Sequence, residues 1–377
     1  MSVQGRKQTE KTGWMMGNSF GQQARLTIFG ESHGAAIGAV LDGLPAGIAI
    51  DWDRVRFEMA RRAPGGSDLS TPRREADAFE VESGYFEGHT TGTPMAVLIK
   101  NTDGHSGDYS LLRNRMRPGH ADYTAQAKYG GFQDYRGGGH FSGRLTAPLV
   151  FAGAIAMGIL EQRGIYIGAH AAEVAGVRDR SWNPCGEGKD LMDSLRKERL
   201  PVLDREAGKR MEDAIISAGR EKDSVGGVIE CMVCGLPAGL GDPFFDSAES
   251  GLAHMMFSIP AVKGIEFGDG FGLAEMKGSE ANDAIRYGNS GVVFETNHNG
   301  GILGGITSGA PLLFRVAVKP TASIGKKQRT IDISLKENAE LEIRGRHDPC
   351  IVPRAIPVVE AAAAWTLLDL LLTDRSF

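Results

Sequence analysis

A short segment near the N-terminus has the residue pattern of a serine hydrolase nucleophile. Residues 30–34, Gly-Glu-Ser-His-Gly, fit G-x-S-x-G and place His33 directly after Ser32. A nucleophile of this class requires a strand before the turn and a long helix after it. The following residues, 35–47 (AAIGAVLDGLPAG), contain β-branched side chains, internal glycines and a turn. Because this composition favours a strand over a helix, the sequence argues against Ser32 as a nucleophile.

Two of the nine histidines stand out because they lie in irregular polar segments, where binding and catalytic residues concentrate. His33 lies in the turn just described, and His120 lies in residues 117–123, RPGHADY. Histidine side chains exchange protons near neutral pH and can therefore act as acids. Spacing alone leaves a structural role open for both. The metal-binding spacing H-x-x-x-H is missing from the sequence, so we predict no metal site.

Arginines accumulate in the same glycine-rich segments, although the protein carries a net charge of −5. A guanidinium group matches carboxylate and phosphate oxygens with two parallel hydrogen bonds. The pattern therefore predicts a small polyanionic ligand, whereas a nucleic-acid-binding protein would usually be basic. For any single arginine, a solvated surface position is an equally open alternative. The arginines are Arg61, Arg62, Arg73, Arg74, Arg117, Arg136, Arg144, Arg344 and Arg346.

Two glycine clusters, 137–139 and 300–305, lack the full G-x-G-x-x-G pattern of a dinucleotide site. They still suit an anionic group, because backbone N–H groups and helix N-termini attract negative charge. Tight backbone packing is the equal alternative. Near the C-terminus, residues 345–350 (GRHDPC) place a cation, an imidazole and a carboxylate side by side. Asp348 in this segment is either a base or the partner of an arginine.

Strand-like segments near both ends of the chain and apolar helices between them must position these residues. The pentapeptide GLPAG occurs twice, at 43–47 and 235–239, each time after a strand-like run and before a helix candidate. This recurrence predicts two related halves, with coincidence between two common turns as the alternative. Because mostly apolar helices must be covered on several sides, we predict core helices between antiparallel sheets. The predicted strands are 25–29, 37–40 and 228–233, and the predicted helices are 51–62, 142–163, 208–220, 246–258 and 357–372.

The bulk composition predicts a soluble cytoplasmic protein with one folded domain over residues 16–377. Residues 1–15 are polar without an apolar segment, so we expect a disordered extension and no secretory signal. The longest apolar run, 145–160, is too short to span a bilayer and fits a buried helix. The four cysteines indicate a reducing compartment. Cys231 and Cys234 form a lone C-x-x-C pair in a buried-strand pattern, where their side chains face opposite ways.

Several longer motifs together resemble the chorismate synthase family. The resemblance covers nearly everything from about Gly17 to the C-terminal helix, and the motifs occur in the order typical of the family. They are FGESHG (29–34), RPGHADYT (117–124), YRGGG (135–139), GLPAGLGDP (235–243), KGIEFGDGF (263–271), NHNGGILGGITSG (297–309), KPTASI (319–324) and GRHDPC (345–350).

The resemblance implies a fold, a reaction and a cofactor. The fold is α+β, a β-α-β sandwich in which antiparallel sheets flank core helices. The reaction is the last step of the shikimate pathway, in which 5-enolpyruvylshikimate 3-phosphate loses phosphate and a ring proton by 1,4-elimination to give chorismate. Reduced FMN is required although there is no net redox change. The resemblance also implies a homotetramer, and no nucleic acid or membrane as a partner.

The resemblance further implies roles for individual residues. His33 maps to the phosphate side, where it protonates or stabilises the leaving group, with Ser32 beside it as a hydrogen-bonding neighbour. His120 maps to the reduced flavin, where an imidazolium offsets the anionic ring. Asp348 maps near flavin N5 and helps it to relay the ring proton. Flavin-binding positions carried over from the family are His140, Phe141, Ser142, Pro260, Ala261, Gly304, Lys319, Pro320, Thr321, Ala322, Ser323 and Arg346.

Substrate and NADP contacts follow more loosely from the resemblance. Arg62 matches an arginine associated with phosphate or NADP, and Arg117, Arg144 and Arg346 are further substrate contacts. The chain departs from the family pattern at two places. His140-Phe141-Ser142 stands where some members have Arg-Ser-Ser, which weakens the flavin contact there. Asp68 stands where a second arginine of the phosphate or NADP site is usual.

Asp68 leaves the source of reducing equivalents open. Either Arg73 or Arg74 takes over the phosphate contact, or the NADP contact is absent. NADPH is therefore a possible reductant of FMN and not a required one. Two other functions stay open as alternatives. A non-catalytic anion-binding module would keep the arginines without needing His33, His120 and Asp348 together, and a serine esterase would use Ser32.

Overall fold

The computed structural model describes residues 17–65, 69–70, 76–101, 112–288, 291–343 and 348–374. The predicted extension, residues 1–15, lies outside the described residues, and so do Asp68, Arg73, Arg74, Arg344 and Arg346. The single-domain boundary at residue 16 therefore stays a prediction.

The first half of the chain builds a five-stranded antiparallel sheet and the first of two core helices. Its elements are β1 (Ser19–Phe20), β2 (Arg25–Gly30), β3 (Ala36–Asp42), α1 (Trp52–Arg62), β4 (Phe79–Val81), β5 (Tyr85–Phe86), β6 (His89–Thr90), β7 (Met95–Lys100), α2 (Asp122–Tyr129) and α3 (Thr146–Glu161). The strand order is β1-β2-β3-β7-β4. Two 3₁₀ helices, Arg136–Phe141 and Gly143–Leu145, lead into α3.

The second half builds another five-stranded antiparallel sheet and the second core helix. Its elements are β8 (Tyr166–Val174), β9 (Val177–Arg178), α4 (Lys189–Leu195), α5 (Arg205–Arg220), β10 (Gly227–Cys234), α6 (Ala248–Ser258), β11 (Val262–Phe267), α7 (Gly278–Ala281), β12 (Ile285–Gly288), β13 (Gly291–Phe294), β14 (Ile302–Leu303), β15 (Ile306–Thr307), β16 (Leu312–Val318), β17 (Gln328–Asp332), β18 (Glu337–Leu341) and α8 (Val352–Thr373). The strand order is β11-β16-β10-β8-β9.

The two sheets share one topology, which confirms the prediction of two related halves. The order β2-β3-β7-β4 in the first sheet corresponds to β8-β10-β16-β11 in the second, with the same order along the chain. GLPAG follows β3 in one half and β10 in the other, and α1 or α6 comes next. Gly43 and Gly235, which open the two pentapeptides, both have φ of +85°. A Cβ would lie 1.8 Å from the Gln23 carbonyl oxygen at Gly43 and 2.1 Å from that of Gly164 at Gly235, so both turns require glycine.

Helices α3 and α8 pack against each other between the two sheets, as predicted. α3 contacts β2 and β3, and α8 contacts β8 and β10. The two helices approach closely because Gly153 on α3 lies where a Cβ would be only 2.3 Å from the Ala361 Cβ. Both helical segments, Gly143–Glu161 and Val352–Thr373, are long and apolar enough to span a membrane, yet 89% of the most apolar 18-residue stretch of each is buried inside the protein. Their apolar character therefore belongs to the core.

Several predicted boundaries shift in the structure. Helix α1 begins after Asp51, whose side chain accepts hydrogen bonds from the backbone N–H groups of Asp53 and Arg54. Ser142 was predicted to begin a helix, but it caps the 3₁₀ turn before α3. Helix α8 begins at Val352, five residues before the predicted start at Pro357, which lies inside the helix. A proline is favoured in the first helical turn, and it is Pro353 that occupies this position.

Candidate active site

The centre of the candidate site is the triple glycine, residues 137–139. These glycines have φ of 57°, 89° and 55°, the left-handed region that favours glycine. A Cβ on Gly137 would lie 2.1 Å from His33 Nδ1, and a Cβ on Gly138 would lie 3.1 Å from His120 Nε2. The two predicted histidines, 87 positions apart in the chain, therefore pack against consecutive glycines.

His33 lies in the turn between β2 and β3. The Ser32 backbone N–H donates to the Gly139 carbonyl at 3.1 Å, and His140 Nδ1 lies 2.8 Å from the Gly30 carbonyl oxygen. These bonds hold the turn against the triple glycine. The Ser32 hydroxyl lies 3.2 Å from His33 Nδ1. Because the turn leads into a strand and not a helix, the structure excludes the hydrolase nucleophile turn, as the sequence predicted.

Asn101, which sequence reasoning missed, fixes the same turn from the opposite side. Its amide donates to the carbonyls of Glu31 and Gly34, both at 2.9 Å. Its side-chain oxygen accepts from Arg144 Nε at 3.2 Å. Asn101 therefore connects the His33 turn with the buried Arg144. No local sequence pattern indicates this role.

An acidic residue, Asp134, packs against Gly139 of the triple glycine. Arg136 pairs with it through one edge of its guanidinium group, at 2.9 Å from Nε and 2.7 Å from Nη2. The hydrogen bonds from Arg136 hold the pKa of Asp134 below its ordinary value, against the opposing effect of burial, and the nearby His33 adds to this effect. Asp134 is therefore an anion close to His33.

Asp122 and Arg117 form an ion pair beside the Nδ1 edge of His120, a contact that the sequence did not predict. His120 Nδ1 lies 2.7 Å from Asp122 Oδ1. Arg117 donates two hydrogen bonds to the same carboxylate, from Nε to Oδ2 and from Nη2 to Oδ1, both at 2.7 Å. Burial alone raises the pKa of Asp122, but hydrogen bonds from Arg117 and His120 outweigh it and hold that pKa well below its ordinary range. A signal was present, because Asp122 lies two residues after His120 in the same motif.

The predicted cofactor segment 319–323 lies against the His120 loop. Arg117 Nη1 donates to the Ser323 hydroxyl at 3.2 Å, and Lys319 Nζ donates to the Gly119 carbonyl at 2.5 Å. Burial, together with the charge of Lys263, lowers the pKa of Lys319. Ala261 joins the group because its carbonyl accepts from the Lys319 backbone N–H at 3.0 Å.

The remaining predicted cofactor positions are less closely grouped. Phe141 lies beside Tyr129, with ring centroids 6.3 Å apart. Gly304 lies in the turn between β14 and β15, next to Gly305, which packs against Ser247. Pro260 lies between α6 and β11. Arg346 lies outside the described residues.

Two predicted substrate arginines, Arg62 and Arg144, are buried around one carboxylate. Arg62 Nη2 lies 2.5 Å from Asp77 Oδ2, and Arg144 pairs with the other oxygen of Asp77. Arg62 is 1% exposed. Burial lowers the pKa of Arg62 to about 10, Asp77 opposes this, and the charges of Arg354 and Arg144 add to the lowering. Asp77 and Arg354 were not among the predicted site residues, and neither lies in one of the recognised motifs.

Asp348 adjoins this arginine cluster. Its Oδ2 accepts from Arg354 Nη1 at 2.8 Å, while Arg354 Nε donates to the Arg62 carbonyl at 3.0 Å. Asp348 therefore has an arginine partner, and an ionised carboxylate in such a pair can still accept a proton, so the pairing fits both alternatives that the sequence left open. The arrangement places two imidazoles, which can exchange protons, against neighbouring residues of the triple glycine, which we call the glycine strip. Buried guanidinium groups lie on one side of it. No group of three or more metal-binding side chains occurs among the described residues.

Comparisons with known proteins identify relatives over almost the whole chain. A family model described as Chorismate synthase matches residues 24–372. Chorismate synthase from Methanosarcina mazei is 47% identical over 355 residues, which cover 94% of this chain and 96% of that protein. Chorismate synthase from Chitinophaga pinensis is 49% identical over 358 residues, covering 95% and 97%.

A solved structure also matches the fold. A crystal structure of chorismate synthase superimposes with a TM-score of 0.75 and 27% sequence identity. The match covers 94% of this chain and 93% of the other. The α+β architecture with antiparallel sheets around core helices is therefore that of a known fold.

Proposed function

The chain belongs to the chorismate synthase family, carbon–oxygen lyases of the shikimate pathway (EC 4.2.3.5), and on that premise we propose how its own residues carry out the reaction. The substrate is 5-enolpyruvylshikimate 3-phosphate, and a 1,4-elimination of phosphate and a ring proton gives chorismate. The observation that carries the proposal is the packing of His33 and His120 on Gly137 and Gly138. It brings two proton donors to one small region, next to buried arginines.

The described residues fit reduced FMN as the cofactor. The segment 319–323 presents polar groups beside the His120 loop, through Ser323 at Arg117 and Lys319 at Gly119. The Thr321 hydroxyl is buried and has no hydrogen-bond partner among the described residues, as expected for a group that serves a ligand. When bound, the reduced flavin supplies electron density to the substrate and recovers it in the same turnover.

Each histidine has a separate task in the proposed mechanism. His33 donates a proton to the departing phosphate, with Ser32 Oγ at 3.2 Å from Nδ1 to orient the ring. His120 presents Nε2 over Gly138 and, as an imidazolium, offsets the negative charge of the reduced cofactor. Asp348, held by Arg354, assists removal of the ring proton. Each such acid–base role typically contributes about 10²–10⁴ in rate.

The anionic groups of the substrate call for guanidinium partners. Arg62, Arg144 and Arg354 bring three positive charges to a buried region that contains Asp77 and Asp348. Arg62 Nε is buried without a hydrogen-bond partner among the described residues, which favours an anionic acceptor there. The guanidinium group of Arg117 already donates hydrogen bonds from Nε and Nη2 to Asp122 and from Nη1 to Ser323. This favours a supporting role for Arg117 over direct substrate contact.

The test is alanine substitution of His33, His120 and Asp348, one at a time. Chorismate formation with photoreduced or dithionite-reduced FMN should fall at least about 100-fold in each variant. FMN binding, followed by the flavin absorbance or fluorescence change, should persist. Near-normal turnover in any variant removes that residue from the mechanism. Near-normal binding of substrate with no turnover in the wild type would instead favour a non-catalytic anion-binding module.

Two further properties belong to the same proposal. We place the enzyme in the cytoplasm, and we propose that it is a homotetramer. Equilibrium sedimentation of the purified protein tests the oligomeric state. Its source of reduced FMN is tested by anaerobic turnover with oxidised FMN and NADPH, compared with dithionite-reduced FMN. Because Asp68 stands where an arginine is usual, we expect turnover with dithionite and little with NADPH.

A further inference from the structure

We infer that Asp122 is a positioning residue for His120: it keeps the proton on Nδ1 and leaves Nε2 as the reactive nitrogen over Gly138. The short contact between His120 Nδ1 and Asp122 Oδ1, 2.7 Å, carries the inference. An acceptor-only carboxylate at this distance requires a proton on Nδ1. The consequence for catalysis depends on the function proposed above, whereas the position of the proton does not.

A competing contact is weaker and does not change the assignment. Arg117 Nη2 lies 3.1 Å from His120 Nδ1 and 2.7 Å from Asp122 Oδ1. Arginine is always a donor, so it cannot share a hydrogen bond with an Nδ1 that itself carries a proton. Because the carboxylate lies closer to both groups, Arg117 donates to Asp122, and His120 Nδ1 donates to Asp122 as well.

The charged groups around His120 favour this arrangement. Arg117 and Asp122 face its Nδ1 edge, and Lys319 approaches the same loop at the Gly119 carbonyl with Lys263 behind it. On the other edge, Nε2 and Cε1 face Gly138, where a Cβ would lie only 3.1 Å away. The carboxylate therefore counters the cations on the Nδ1 side, and Nε2 lies on the opposite edge of the ring, away from these charges.

An asparagine at position 122 should reverse the tautomer. Asp122 Oδ2 accepts from the backbone N–H and Nε of Arg117, at 3.0 and 2.7 Å. The single amide oxygen of asparagine will take this position, because both donors are fixed there. Its NH₂ group then replaces Oδ1, which both Arg117 Nη2 and His120 Nδ1 use in the wild type. Between this NH₂ group and Arg117 Nη2, 3.1 Å away, His120 Nδ1 faces two donors and can only accept. The proton moves to Nε2, and the imidazolium, which needs a proton on both nitrogens, is disfavoured.

The experiment is magic-angle-spinning NMR of protein labelled with ¹⁵N-histidine and free of cofactor and substrate, since ¹⁵N shifts report which ring nitrogen carries a proton. The His120 signals are assigned by their loss in His120→Ala. We expect a proton on Nδ1 at both acidic and alkaline pH in the wild type. In Asp122→Asn we expect Nδ1 without a proton at alkaline pH, and chorismate formation about 100-fold lower. Asp122→Glu should restore the Nδ1 proton.

Asp134→Asn is the matched control, because Asp134 is also a carboxylate paired with an arginine beside the glycine strip, and among the described residues it makes no hydrogen bond to His120. It should leave the His120 signals unchanged. A wild-type Nδ1 without a proton overturns the inference, and so does an Asn variant that keeps the wild-type pattern. If Asp122→Asn does not fold, the wild-type spectrum still decides. If the wild type fails to make chorismate, the proposed function falls while the tautomer assignment stands.

Discussion

Replacing Gly137 by alanine should impair catalysis more than folding. The added Cβ would lie 2.1 Å from His33 Nδ1, 2.2 Å from Cε1 and 2.9 Å from Ser32 Oγ. Ordinary van der Waals contact begins near 3.4 Å, so the imidazole or the glycine strip has to move by about 1.3 Å. A displacement of roughly 1 Å at a reacting group can cost about 100-fold in rate, which corresponds to about 2.7 kcal/mol of activation free energy.

The cost to folding should be smaller. Gly137 has φ of 57°, and a residue with a Cβ in the left-handed region costs roughly 1–2 kcal/mol. We therefore expect the free energy of unfolding, measured by urea denaturation, to fall by that amount. Under the same conditions, phosphate release from 5-enolpyruvylshikimate 3-phosphate with reduced FMN should fall about 100-fold.

Gly143→Ala is the control for this experiment. Gly143 lies six residues further along the same irregular segment, and its Cβ would meet no atom within 4 Å in the described part of the chain. It should keep wild-type turnover. If Gly137→Ala turns over as fast as Gly143→Ala, the close approach of His33 to the glycine strip does not matter for the reaction, and the reasoning from geometry to function fails.

Two further predictions concern the stability of buried charged groups. Asp77→Asn leaves Arg62 and Arg144 without their shared carboxylate, so urea denaturation should show a loss of about 3–5 kcal/mol, against less than about 0.5 kcal/mol for the exposed Asp53→Asn. His170 is fully buried between Asp179 and Glu230; burial alone lowers its pKa, but these partners outweigh it and the pKa is raised. A raised pKa in the folded state means that the stabilisation is fully present below about pH 6.5 and is lost as the pH rises through the folded-state pKa. The stability difference between the wild type and His170→Gln should therefore shrink as the pH is raised, and a difference that grows would contradict the charged state of His170.

The sequence predicted the elements well wherever local pattern and tertiary context agree. Alternation around 25–29 and the turn composition of GLPAG located β2 and the ends of β3 and β10 to within a few residues. The start of α8 was misplaced because proline marks helix starts in general, and α8 has one proline in its first turn and a second inside it. A local rule cannot choose between two such prolines, because packing against α3 and the second sheet decides where the helix begins.

The site was predicted in part. The motifs that resemble chorismate synthase located His33, His120 and segment 319–323, and the structure brings Gly137 and Gly138 against the two histidines and the segment against the His120 loop. Asn101 and Asp77 were missed, since both act on Arg144, which lies more than 40 residues further along the chain than either. Asp122 was within reach of the sequence, because it shares a motif with His120.

The sequence by itself determined the family, the two related halves and the residue types available for proton transfer and anion binding. These depend on local order, on repeated turns that only glycine can form, and on motifs that are contiguous in the chain. Only the tertiary structure decided that two consecutive glycines support two distant histidines, and that Arg62 and Arg144 share Asp77. Such contacts depend on how the sheets and core helices pack, and no spacing within the chain encodes a distance between residues so far apart.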